Sequence, residues 1–241
     1  MPVAFNEITQ RMYLYPVASE AKFARRLRPE EGERGGPGVH QRTNKLGERV
    51  YERFYNVVRG RIVDFSIVQN EKIADPQYQV IVMDPSDPGV EGCLSFGART
   101  SLGRQLINQL LSATPEMLRH VITFTLRHVE GGRGVYLNLY QGKSIAYENL
   151  IPRRFKTEDI PKPEEIEPGR WDYSRANDFF LEKARELADK WKTLVSSASE
   201  EMSPQNTAMN SAYGNDDEQY FPDDAPADYP TTTPQDDVVP F

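Results

Sequence analysis

The sequence predicts a mainly β protein with flanking helices: a small five-stranded barrel, a C-terminal helix and a disordered acidic tail. Three observations predict this. Between residues 50 and 152, β-branched and aromatic runs alternate with clusters of turn residues. Within that region one stretch, Ser101–Ser112, spaces Leu102, Leu106, Gln109 and Leu110 as a helix does. Beyond Lys192 the composition changes: 49 residues contain no Lys or Arg and ten acids.

The elements follow in order. Val50–Val68 reads as one long strand, bent at Gly60, where a bulge lets a barrel strand turn a corner. Tyr78–Met83 is a second strand, ended by Asp84-Pro85-Ser86-Asp87-Pro88-Gly89. Gly92–Ala98 is a third, and the Ser101–Ser112 helix follows it, with Pro115 beyond. Val121–Val129 and Val135–Gln141 flank the glycine-rich loop Glu130-Gly131-Gly132-Arg133-Gly134. Five strands with a helix between the third and fourth is the element order of an OB-fold. The resulting divisions are a basic arm and flexible loop over 1–49, an OB-fold-like domain over 50–155, a linker and amphipathic helix over 156–195, and a disordered tail over 196–241.

Alternation separates core from surface. In the fifth strand Val135, Leu137 and Leu139 face inward, leaving Tyr136 and Tyr140 outward with Asn138. In the fourth, Ile122, Phe124 and Leu126 are the apolar face, and Thr123, Thr125 and Arg127 lie outside. In the first, Tyr51, Arg53, Tyr55, Arg59 and Arg61 share one parity. Outward aromatics interleaved with Arg suit single-stranded nucleic acid, because bases stack on rings while cations follow the phosphates. Phe65, Arg99, Arg133 and Lys143 complete the candidate contact set. A surface Tyr on a strand also serves β-propensity alone; it is the set that points to binding.

The flanks add charge and a helix. Ser19–Leu27 reads as a short helix carrying Arg25 and Arg26, with Arg28 beyond it, and the Gly/Pro-rich stretch through Gly47 as a loop with Arg34, Arg42 and Lys45. After the Pro161–Gly169 linker, Phe180, Ala184, Leu187, Trp191 and Leu194 form one helical stripe. That stripe reads first as a face packed onto the barrel, with self-association as the alternative.

The formal charge of −7 conceals a division. Thr193–Phe241 carries −10, so the preceding 192 residues carry +3, and residues 1–61 alone carry +5. A basic head with an acidic tail is a pattern associated with nucleic-acid contact. The tail has six prolines and no periodic apolar face, so it cannot offset its ordering entropy. It nevertheless finishes on Asp236-Asp237-Val238-Val239-Pro240-Phe241, an apolar tip behind two acids. Such a tip can seat its ring in a pocket while a basic rim takes the carboxylates.

Asp236, Asp237, Val239, Pro240 and Phe241, behind a long acidic linker, make the end of the chain similar to that of bacterial and phage single-stranded DNA-binding proteins. The resemblance covers six residues and departs at Val238, where the family more often has a third acid. It implies a tip that recruits replication, recombination and repair enzymes and can fold back on the DNA-binding groove.

Catalysis finds little footing. No Gly-x-x-x-x-Gly-Lys-Ser/Thr phosphate loop occurs. His40, His120 and His128 lack metal-ligand spacing, Cys93 lies in an apolar strand, and Asp64, Asp75, Asp84 and Asp87 are scattered or in turns. No cofactor and no metal are expected. A single cysteine, no secretion signal and no membrane-length apolar run point to the cytoplasm, the host's if the chain is phage-encoded. The expected function is a non-enzymatic coat on single-stranded DNA that presents the tip to processing enzymes. A protein-interaction adaptor of a replication complex and an RNA-binding OB module are the alternatives.

Overall fold

A computed structural model describes residues 5–6, 11–43, 47–69, 75–84, 91–129 and 134–200. In chain order the elements are β1 (Phe5–Asn6), β2 (Arg11–Val17), β3 (Lys22–Arg26), α1 (Pro29–Glu33), β4 (Val39–Thr43), β5 (Arg49–Tyr55), β6 (Val57–Val68), β7 (Gln77–Met83) and β8 (Glu91–Gly97). They continue with α2 (Ser101–Leu110), α3 (Pro115–Arg119), β9 (Ile122–His128), β10 (Val135–Gln141), β11 (Glu164–Glu167), β12 (Arg170–Asp172) and α4 (Ser174–Glu200). The protein is mainly β, with helices on its flanks and a long helix at its C-terminal side.

One sheet runs β10-β9-β6-β7-β8-β2-β3-β5-β4, with β1 added beside β2; β11 and β12 form a separate hairpin. All pairings are antiparallel except β2 with β8. β6 is shared, its first four residues pairing β9 and its later ones β7.

The expected strands after residue 50 are present, but they do not close into a five-stranded barrel. Closure needs β8 to meet β10, and both edges are occupied. The far edge of β8 pairs Arg11–Leu14 of β2. The far edge of β10 is sealed by glutamines of α2: Gln105 Nε2 donates to Val135 O (3.2 Å) and its Oε1 accepts from Leu137 N (2.8 Å). One turn on, Gln109 repeats the pattern with Leu137 O and Leu139 N, both at 2.9 Å. Two amides at i and i+4 thus replace a neighbouring strand, satisfying backbone groups that are costly to bury unpaired.

Three local expectations are corrected. Ser19–Leu27 is no helix: a 3-10 turn over Ala18–Glu20 leads into β3, which pairs both β2 and β5. The break in the long first strand falls at Asn56, and its bulge between Ile62 and Asp64, not at Gly60. Gly60 serves close packing instead, since a Cβ there would lie 2.9 Å from Val82 Cβ. Thr100 caps α2 by accepting from Gly103 N at 3.0 Å, and Gly103 lets the helix press onto the end of β8, where a Cβ would collide with Gly97 O.

The core lies between one sheet face and the helices. Ile62, Phe65, Tyr78, Val80, Val82, Leu94 and Phe96 are buried with Leu106, Ile107 and Leu110 of α2. The expected stripe of α4 packs into it: Phe180, Ala184, Leu187 and Trp191 are each at most 4% exposed, and Trp191 meets Phe65 at 5.7 Å between ring centroids. Leu194's side chain lies outside the description.

Candidate nucleic-acid interface

The outward face of β6, β9 and β10 is built by direct cross-strand pairing. Tyr136 stands opposite Arg127, Asn138 opposite Thr125, and Tyr140 opposite Thr123, which in turn faces Arg59 on β6. Directly opposed side chains share a face. Arg127 and Arg59 are exposed and Tyr136 is 37% exposed. The middle of this face is closed. Thr123 and Thr125 are buried, the former donating to Gly142 O at 2.7 Å, and Tyr140 is 6% exposed. Their expected outward placement is corrected: β9 is buried through Ile122–Leu126, with β3 close to it. The backbone of Leu150 bridges back to Tyr140.

Sequence reasoning missed Arg153, which comes from the segment after β10. Its guanidinium lies over the Tyr136 ring, 5.3 Å from the centroid, a cation–π placement. Tyr136 therefore has one cation over its ring and another, Arg127, across the strand pair. Lys143 is exposed just beyond β10.

The other candidates fall elsewhere. Phe65 is in the core, 3% exposed, against Tyr78 and Trp191. The bulge between Ile62 and Asp64 shifts the parity of the strand, so Phe65, placed in the candidate contact set, turns inward with Ile62. Tyr55 pairs with Phe23 and packs against the core, half-buried. Arg61 is half-buried and has a partner. Arg99 is exposed, 3.5 Å from Asp75. Arg53 is half-buried on β5 opposite Arg25, its Nε without a hydrogen-bond partner among the described residues. Arg133 and the tip Asp236, Asp237, Val238, Val239, Pro240 and Phe241 lie outside the described residues.

A second basic region surrounds α1. Arg25, Arg28, Glu30, Glu31 and Arg34 line an open concavity of about 600 Å³. Its charge is already matched in part, since Arg25 is ion-paired with Glu31 and also reaches Met12 Sδ. Nearby, Glu52 is 3% exposed and accepts from Tyr15 OH at 2.6 Å and from Arg42 Nη2 at 2.6 Å and Nε at 2.9 Å. Burial pushes the Glu52 carboxyl up, but the bonds from Arg42 and Tyr15, with Arg26 close by, outweigh it and hold the group below its ordinary range. Burial and the same carboxylate push the Tyr15 phenol up. This cluster fastens β4 and β2 to β5.

Among the described residues no three of His, Cys, Asp and Glu converge as a metal-holding group, and no helix is long and apolar enough to cross a membrane. Tyr147 and Trp171, 81% and 48% exposed, are further surface aromatics that alternation did not single out. No family model, no curated protein and no solved structure matches this chain.

Proposed function

We propose that this protein binds single-stranded DNA without sequence specificity, coats and protects it, and recruits replication, recombination and repair enzymes through the tip Asp236–Phe241. The observation that carries the reading is Tyr136, an exposed ring with Arg153 over it and Arg127 beside it. A ring offered to a base amid cations offered to phosphates is the chemistry of sequence-tolerant strand binding. Two further features support it: the charge division of the chain, and the resemblance of its last six residues to those of single-stranded DNA-binding proteins. The order β6, β7, β8, α2, β9, β10 supports an OB-like core extended at its β8 edge by the N-terminal strands. The mechanism is passive, holding strands open without turnover.

Titration of the full chain with oligo-dT, oligo-rU and duplex DNA at several salt concentrations tests the reading. Oligo-dT is expected to bind best, with a log–log salt slope of about −0.7 per phosphate neutralised. No single-strand affinity at low salt sinks the proposal, and a preference for oligo-rU moves it to RNA.

A further inference from the structure

Arg104 on α2 is 4% exposed, yet the groups that meet it are uncharged. Its Nη1 donates to Asn177 Oδ1, and its guanidinium lies 5.1 Å from the centroid of the Tyr173 ring. Its Nε is buried without a hydrogen-bond partner among the described residues. Burial pushes its pKa down, and the groups acting in the other direction are Tyr173 and Tyr78, not an acid. An isolated buried cation is strongly disfavoured unless a counter-charge meets it.

Arg104 and Arg153 line one narrow cleft together with Gln105, Asn108 and Phe180, and its open space of about 10 Å³ admits about one water-sized atom. The two amides are already engaged. Gln105 holds the edge of β10, while Asn108 donates to Phe155 O (3.0 Å) and accepts from Phe155 N (2.7 Å). Those last bonds fix the chain that carries Arg153. The lining that remains is two arginines and the ring of Phe180, with no acid among the lining residues.

We infer that this cleft is an anion site that takes one oxygen of a phosphoryl group between Arg104 and Arg153. Arg153 joins the site to Tyr136, over whose ring it lies. Resting on the DNA-binding reading above, the oxygen belongs to the backbone of the strand whose base stacks on Tyr136. A free phosphate ion carries the same chemistry, and the experiment separates the two sources.

The test uses the full chain, Arg153→Gln and Arg104→Met. Arg153 is exposed, so its variant is expected to fold; Arg104→Met removes a buried charge with little loss of volume. In the first arm, thermal melts follow added inorganic phosphate against sodium chloride at matched ionic strength. The parent's midpoint is expected to rise, and that rise to vanish in both variants. In the second arm, oligo-dT affinity is expected to fall about ten-fold in Arg153→Gln, a change of one well-made charged contact. The salt slope should also become shallower by about 0.7, one phosphate fewer. Loss in the strand arm assigns the backbone as ligand. Loss in the phosphate arm alone upholds the site with a free phosphoryl ion as its ligand. A parent that ignores oligo-dT but responds to phosphate through Arg153 sinks the DNA reading and upholds the site. If Arg153→Gln matches the parent in both arms, the anion site is overturned.

Discussion

Two regions of this protein use arginine in opposite ways. In the N-terminal strands, arginines do structural bonding: Arg42 is tied to buried Glu52, and Arg25 to Glu31. Around β10 that work falls to neutral amides, with Gln105 and Gln109 sealing the strand edge and Asn108 pinning the following segment. The arginines there, Arg104 and Arg153, sit over tyrosine rings with no described carboxylate to neutralise them. The comparison teaches that a local excess of positive charge is a poor guide to where an anion binds. Residues 1–61 hold the larger excess, +5, but its cations are partly spoken for. What marks a binding surface is cation without counter-charge.

The comparison can be broken at several points, the largest effect first. Gln105→Leu with Gln109→Leu orphans four backbone groups of β10, at about 1–3 kcal/mol each. The double variant is expected to lose most of its stability in urea unfolding. Near-parental stability would mean that the amides are not what finishes the sheet.

Glu52→Gln should cost about 1–3 kcal/mol, because a carboxylate accepting from Arg42 and Tyr15 is replaced by a neutral amide. Oligo-dT affinity should not change, since this cluster holds strands and meets no ligand. The pH dependence follows in sign. The Glu52 carboxyl is held below its ordinary value of 4.5, so its contribution is fully present above that pH and is lost as pH falls through the lower folded value. Urea midpoints taken from pH 6 down to pH 3 should drop more in the parent than in Glu52→Gln. Parallel profiles would remove the carboxylate from the account. The smallest effect is expected of Arg99→Ala: an exposed pair at 3.5 Å should change stability by no more than about 0.5 kcal/mol.

Much of the fold was legible where strands alternate cleanly or run apolar, as in β7, β8, β9 and β10, and where the α4 stripe recurs at helical spacing. The N-terminal strands were not. Lys22–Arg26 carries three cations and an Ala in five residues, a composition that favours a helix locally until pairing with β2 and β5 decides otherwise. Single-residue register was the other obstacle. A bulge between Ile62 and Asp64 inverted Phe65, and burial of β9 through Ile122–Leu126 hid Thr123 and Thr125. Of the candidate site, Arg59, Arg127, Tyr136 and Lys143 were readable from parity and charge. Arg104 and Arg153 were not, because nothing local distinguishes a buried arginine on a helix, or one in a Pro-Arg-Arg run, from a solvated one.

The most direct measurement is oligo-dT affinity of Tyr136→Ala against the parent at low and moderate salt, with unfolding curves alongside. A stacked base is worth about 1–3 kcal/mol, so affinity is expected to fall about 5- to 150-fold with stability changed by no more than about 0.5 kcal/mol. Equal affinity in the two proteins, with the parent binding oligo-dT normally, would contradict the claim that strand binding centres on this ring.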